Sequence, residues 1–419
     1  MDNYGWRERT FLVAWGLYFA FVLLPNDHGA DKSVLFLLLI LSITIRCHYR
    51  SPSIKGFHVK AAMWGLSIYL LVNFISVLIP NEVLSLQFSS RNNFPFYAAV
   101  ITVSVLLAGR SQRIIEHLIL ILLAVFGIFF GAELLASPWW NSLSPEIRFV
   151  GNTGVHPNRL GMTLLILPSL SLGAFGLVTG RVSRIVLGVS AVVFTFLLLL
   201  TKSRSCLLVF GLVNLPLSVL IYSRWDQRRS RILVATAIIM LAVPLASYLW
   251  VNHASDDRNS PQGMYGRFEA WQTSIALVTD GSFYRTYIGH GSYRKGFRAL
   301  VDHFGRQSRR YPGEPVHAHN SYLQTLVESG FLGLGGWLLF VGSLFLGLIS
   351  GYRDPDRNSE VPGILLVSMC TILAMGFLDY SLQSLSGKLY YGIIAISAAS
   401  VSQRVSMESS YHQKSNDSS

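Results

Sequence analysis

The sequence predicts an all-α polytopic membrane protein, with about twelve transmembrane helices and one long loop that carries short amphipathic helices. Three observations predict it. Of 419 residues, 51% are hydrophobic and only 13% charged, and the mean hydropathy is +0.44. Apolar runs of roughly 15–20 residues recur along the chain, the length an α-helix needs to cross a bilayer with its backbone satisfied internally. A single long polar stretch, residues 252–330, interrupts the series.

Taken in order, runs near 10–24, 33–46, 61–79, 95–109 and 114–135 read as the first five spans. The first follows Arg7 and Arg9 but lacks a small-residue cleavage site, so it reads as a span and not as a signal peptide. Residues 136–159 hold Trp139 and Trp140, expected as anchors at the membrane interface, and lead into GVHPNRLG, Gly154 to Gly161. Spans six to nine follow at 160–178, 184–200, 206–222 and 232–251. Spans seven and eight are joined by the turn TKSRS, which contains Arg204.

The polar stretch 252–330 has patterning of its own. Phe268, Trp271, Ile275 and Val278 form one helical stripe after Arg267, and Phe297, Leu300, Val301 and Phe304 form a second. Both predict short amphipathic helices lying over the bundle. The stretch ends in HAHNSYLQTLVESGFLGLGG, His317 to Gly336. There Leu323, Leu326 and Val327 give a short helix one apolar face, and Gly330 is expected to stop it. Gly333, Gly335 and Gly336 fall in the next run, where small residues let helices approach closely. Spans ten to twelve lie at 331–350, 361–378 and 387–402, and a polar tail fills 403–419. The chain therefore divides into nine spans (1–251), a loop with a candidate site (252–330), three spans (331–402) and the tail.

The formal charge is +12. Such a balance can point to nucleic acid, but no nucleic-acid motif accompanies it, and the basic residues sit in short loops between spans. With a cytoplasmic N-terminus, the inner segments carry 18 of the 34 lysines and arginines and the short outer loops seven. Both termini are then expected in the cytoplasm and the long loop outside, in the periplasm of a Gram-negative cell. Cys47, Cys206 and Cys370 are scattered and offer neither a disulfide framework nor zinc spacing.

Chemistry concentrates in a few residues. Arg204 stands in a short outer turn, against the positive-inside trend. Snorkelling of the side chain to the interface is the plain explanation. An anion site is the sharper one, because the planar guanidinium donates two parallel hydrogen bonds to a phosphate. Arg267, from a separate element, could complete a clamp on a diphosphate. His319 stands at a helix start before Asn320, and an imidazole can accept a proton from a hydroxyl nucleophile. His317, two residues upstream, is a candidate to support His319 from behind. Two histidines at this spacing do not share a helix face, and no metal site is expected. No nucleotide or cofactor motif is present, so no cofactor is expected.

At these residues the chain resembles the O-antigen ligase and polymerase superfamily of bacterial membrane glycosyltransferases. The family pattern is His, then Asn, Ser or Gln, nine residues, then Gly-x-x-Gly-x-Gly. Here His319-Asn320 precedes Ser321 to Ser329, then Gly330, Gly333 and Gly335. SRS around Arg204 and GRFEAW with Arg267 resemble the family's two arginine segments. GVHPNRLG with Arg159, and Asp379 after span eleven, match less specifically. The resemblance runs from about residue 150 onward. It implies a metal-independent, inverting transfer of O-antigen polysaccharide from undecaprenyl diphosphate to a sugar hydroxyl of lipid A core, at the outer face of the bacterial inner membrane. In that reading His319 is the base and Arg204 and Arg267 hold the diphosphate, with His317, Asn320, Asp379 and Arg159 in support. An O-antigen polymerase or a protein O-oligosaccharyltransferase would share the chemistry. A transporter or lipid flippase is the rival from another class, but paired intramembrane acids and bases are missing from the spans.

Overall fold

A computed structural model describes residues 6–23, 30–48, 57–78, 94–108, 111–143, 149, 157–224, 262–279, 282–291, 318–354, 359–379 and 389–403. The regular elements among them are all helices. They are α1 (Trp6–Leu23), α2 (Ala30–His48), α3 (Phe57–Leu78), α4 (Phe94–Ala108), α5 (Gln112–Ala136), a 3-10 turn (Trp139–Leu143), α6 (Pro157–Leu177) and α7 (Arg181–Leu200). Then come α8 (Arg204–Tyr222), α9 (Gln262–Thr279), α10 (Phe283–Ile288), α11 (Ser321–Tyr352), α12 (Glu360–Leu378) and α13 (Leu389–Gln403).

Among the described residues seven helices, α3, α5, α6, α7, α8, α11 and α12, are long and apolar enough to cross a membrane. Helices occupy eleven of the twelve expected span positions; the ninth, 232–251, lies outside the described residues. Exposed apolar side chains explain why this is not a water-soluble bundle. Val182, Ile185, Val186, Val189 and Val192 stand outward at helical spacing on α7. Such a stripe needs lipid as its solvent.

Helix α6 is the centre of the bundle, buried on nearly every side from Leu160 to Ala174. It packs on α7, α8 and α12. Polar side chains fasten these neighbours, as they do where lipid supplies no hydrogen bonds. Asn214, in a π-helical turn of α8, donates through Nδ2 to Ser169 Oγ of α6 and to Thr371 Oγ1 of α12, each at 2.9 Å.

Among the described residues, α3 and α11 make the most extensive helix contact. A β-carbon on Gly336 would come within 2.8 Å of Tyr69 N, and one on Gly65 within 2.7 Å of Gly336 O. Gly336 therefore does what its sequence position implied. Gly335 does not: nothing lies within 4 Å of a β-carbon there.

The starts of α6, α8 and α11 share one end of the bundle with the ends of α7 and α12. Gly161 faces Thr201, Ser203 and Cys206, and Asn320 Nδ2 donates to Phe377 O at 3.2 Å. Arg181, Arg184, Arg224 and Arg353 lie at the opposite end, where the Arg224 guanidinium sits 5.9 Å from the Tyr352 ring.

Helix α9 appears where the first amphipathic stripe was expected, but the face it buries shares only Val278 with that stripe. Ala270, Ser274, Leu277 and Val278 pack inward, while Phe268 and Ile275 point out. The stripe assumed water on the far side; in a membrane protein an outward apolar face is equally stable. The second stripe lies outside the described residues, and the short α10 has no counterpart in the sequence pattern.

Gly336→Val is expected to destabilise the protein by about 1–3 kcal/mol through overpacking at the α3 crossing, whereas Gly335→Val is expected to be tolerated. Thermal unfolding of both detergent-solubilised variants checks the contrast.

Candidate active site

The site is built on the first turn of α11. Asn320 caps that helix: its Oδ1 accepts from Tyr322 N at 2.9 Å and Leu323 N at 3.0 Å. An N-cap residue has extended backbone, and Asn320 has it, at φ −158° and ψ 118°. The residue before it must turn the chain sharply. That residue is His319, at φ +48°. A left-handed conformation at a side-chain-bearing residue costs roughly 1–2 kcal/mol, so its neighbours must hold it there.

They do so through α12. Asn320 Nδ2 donates to Phe377 O, and Ser321 Oγ donates to Asp379 O at 3.1 Å. Asp379 ends α12, and its carboxylate Oδ1 stands 3.5 Å from His319 Nδ1. The His319 side chain is 36% exposed and that of Asp379 only 6%. The imidazole can therefore meet a substrate, and the carboxylate can only stand behind it.

The cations arrive from two other elements. Arg204 is the first residue of α8 and is exposed. Arg267 reaches across from α9, where its Nη2 donates to Ser205 Oγ at 3.1 Å. The second guanidinium thus docks on the residue next to Arg204. The Arg204–Val209 segment of α8 packs against α12, the helix that Asp379 ends. The arginine elements and the His319–Asp379 pair therefore stand at the same end of the bundle.

Arg159 is exposed in the first turn of α6, whose Asn158 O lies 3.8 Å from Cys206 Sγ. His317 lies outside the described residues. Among the described residues, no three His, Cys, Asp or Glu side chains converge as a metal site would require.

Within TKSRS, neither the bond of Ser205 to Arg267 nor the backbone of Lys202 was foreseeable. Lys202 is buried and, at φ +51°, joins His319 as the other side-chain-bearing residue with positive φ among those described. Both precede an N-cap, Ser203 and Asn320. No sequence signal marks such a conformation at lysine.

The far end of the short helical segment is fixed as firmly. The expected stop at Gly330 is a kink: φ +63° and ψ −170° break α11, which resumes at once. A β-carbon there would collide with the Tyr287 backbone of α10. The chain after α10 then pairs with the end of that segment, through His290 N to Val327 O (2.9 Å) and Gly291 N to Glu328 O (2.8 Å). Leu277 and Val278 of α9 pack with Ala318 and Val327, joined by Leu323 and Leu326. The apolar face read from sequence is this one.

His290 is buried, with Nε2 3.0 Å from Leu277 O. Burial pushes its pKa below the usual histidine value, aided by the Arg285 charge and opposed by the Leu277 hydrogen bond.

Residues 189–338 match the family model described as O-antigen ligase. The matched stretch contains Arg204, Arg267, His319 and Asn320; Arg159 and Asp379 fall outside it. No curated protein matches the chain.

Two outcomes are expected. Asn320→Ala removes the cap and should cost about 0.5–2 kcal/mol of stability, read as a lower unfolding temperature. Because the folded state disfavours protonated His290, its contribution is complete above the unfolded histidine pKa of about 6.5 and is lost as pH falls below that value. Hydrogen exchange at the α10–α11 junction should accelerate on acidification, and His290→Asn should flatten that dependence.

Proposed function

With the O-antigen ligase superfamily supported by the match over residues 189–338, we propose that this membrane protein is an inverting glycosyltransferase. It moves O-antigen polysaccharide from undecaprenyl diphosphate to a sugar hydroxyl of lipid A core. The observation that carries the reading is that an imidazole–carboxylate pair and a guanidinium docked beside Arg204 stand at the same end of an apolar bundle.

His319 acts as general base. The Asp379 carboxylate beside Nδ1 favours the tautomer protonated there, which leaves Nε2 as the proton acceptor. Nε2 takes the acceptor's hydroxyl proton as the oxygen attacks the anomeric carbon. The new C–O bond forms as the bond from that carbon to the phosphate oxygen breaks, and the diphosphate leaves with the electron pair. Arg204 and Arg267 stabilise the charge that builds on it, as fixed cations at the edge of a low-dielectric bundle. Attack from the face opposite the leaving group inverts the anomeric configuration.

The arginines at the other end support a cytoplasmic placement there and a periplasmic one for the site. The donor's prenyl tail would lie in lipid while its diphosphate meets the arginines at the boundary. Both placements suit a reaction between two lipid-anchored partners.

In a reconstituted assay, His319→Ala should lower transfer by about 10²–10⁴ with membrane insertion intact. Arg204→Lys and Arg267→Lys keep the charge but lose the planar fork, and each should reduce transfer about tenfold or more. Wild-type transfer by His319→Ala would refute the base assignment. Offering lipid A core, free carrier-linked glycan and peptide acceptors separately tells ligase from polymerase and from protein-directed transfer.

A further inference from the structure

The strained backbone at His319 is gripped from a second direction, by side chains deeper in the same helical segment. Gln324 is 4% exposed. Its Oε1 accepts from Ala318 N, the peptide just before His319, at 3.0 Å. Its Nε2 donates to Glu328 Oε1 at 2.7 Å. Ala318 is itself fully buried, against Leu277, Val278 and Val327.

The chemistry of the pair is directional. An amide can turn either its oxygen or its nitrogen toward a neighbour, and only the oxygen can receive the Ala318 N–H. An ionised carboxylate accepts and does not donate, so Glu328 fixes which way round the amide sits. The bond between them is charge-assisted, and the four-residue spacing puts both side chains on one helix face. Asn320 and Ser321 hold the chain after His319, and Gln324 holds it before.

We propose that Gln324, oriented by Glu328, is a positioning residue for His319. It sets where the imidazole Nε2 stands relative to the acceptor hydroxyl, without touching substrate itself. The inference rests on the reading of His319 as the base. Neither side chain is needed for the helix to start, because Asn320 already caps it.

The test uses the full-length protein reconstituted with lipid-linked donor and acceptor, and measures kcat and KM separately. Gln324→Leu removes the clamp; a misplacement on the order of 1 Å costs about 10²-fold, so kcat should fall by that order with both KM values unchanged. Gln324→Glu should fail similarly, because the new carboxylate cannot donate to Glu328. The double exchange Gln324→Glu with Glu328→Gln restores the pattern: the new carboxylate accepts from both Ala318 N and the new amide. It should recover most of kcat. A role in stability alone would lower the unfolding temperature of Gln324→Leu and leave kcat of the folded protein unchanged.

Wild-type kcat in Gln324→Leu, or a double exchange no better than Gln324→Glu alone, overturns the proposal. Full activity in His319→Ala would instead sink the base assignment on which it rests, and the two failures are thereby told apart.

Discussion

A histidine held in the left-handed region of backbone space is the constraint around which this end of the molecule is arranged. A positive φ is uncommon for any residue but glycine, even at histidine, one of the types that adopt it more often, so the flanks of His319 must hold it. The structure prevents relaxation by fixing both flanks. Asn320 and Ser321 are tied to the end of α12, Ala318 is tied to Gln324, and the whole segment is packed on α9. Backbone strain of this kind persists only where surroundings over-determine it. Here the surroundings come from three separate elements, and each also carries or abuts a charged group of the site.

The kink at Gly330 makes this arrangement compatible with a membrane bundle. Residues 321–329 belong to the polar end, packed with α9 and α10, whereas the remainder of α11 is an apolar span pressed against α3. A straight helix could not serve both surroundings. Glycine at the break permits the positive φ and the contact with the Tyr287 backbone together. The polar hydrogen bonds of Asn214 then hold α6, α8 and α12 in register beneath the site. Placing the cations at the mouth of the bundle, and not at its middle, avoids most of the cost of burying an arginine in lipid, which is about 2.5–3.5 kcal/mol at the centre. It still leaves them at the edge of a low-dielectric medium, where their field is strong.

Much of this was legible in the sequence because it is local. The His-Asn start, the apolar face of Leu323, Leu326 and Val327, and the break at Gly330 all follow from spacing and residue type. The seven helices long and apolar enough to cross a membrane fall where run length placed spans. What was not legible depends on contacts between distant segments or on the solvent. The approach of Asp379 to His319 joins residues far apart in the chain; resemblance singled out Asp379 but did not place it beside the histidine. The docking of Arg267 on Ser205 left no trace in either segment. The face that α9 buries was only partly legible, through Val278, because periodicity cannot tell a water-facing side from a lipid-facing one. Gly335 and Gly336 look alike in sequence, yet the phase of the helix turns only the second toward α3. The left-handed backbone at Lys202 has no compositional signature at all.

The central claim is that His319, Arg204 and Arg267 serve one reacting group. It is tested most directly by an experimental structure of the protein in a lipid nanodisc with undecaprenyl diphosphate. The account requires diphosphate density in contact with both guanidinium groups, with the imidazole Nε2 facing the space where an attacking hydroxyl would sit. Diphosphate bound at the opposite end of the bundle, or held by groups remote from His319, would contradict it.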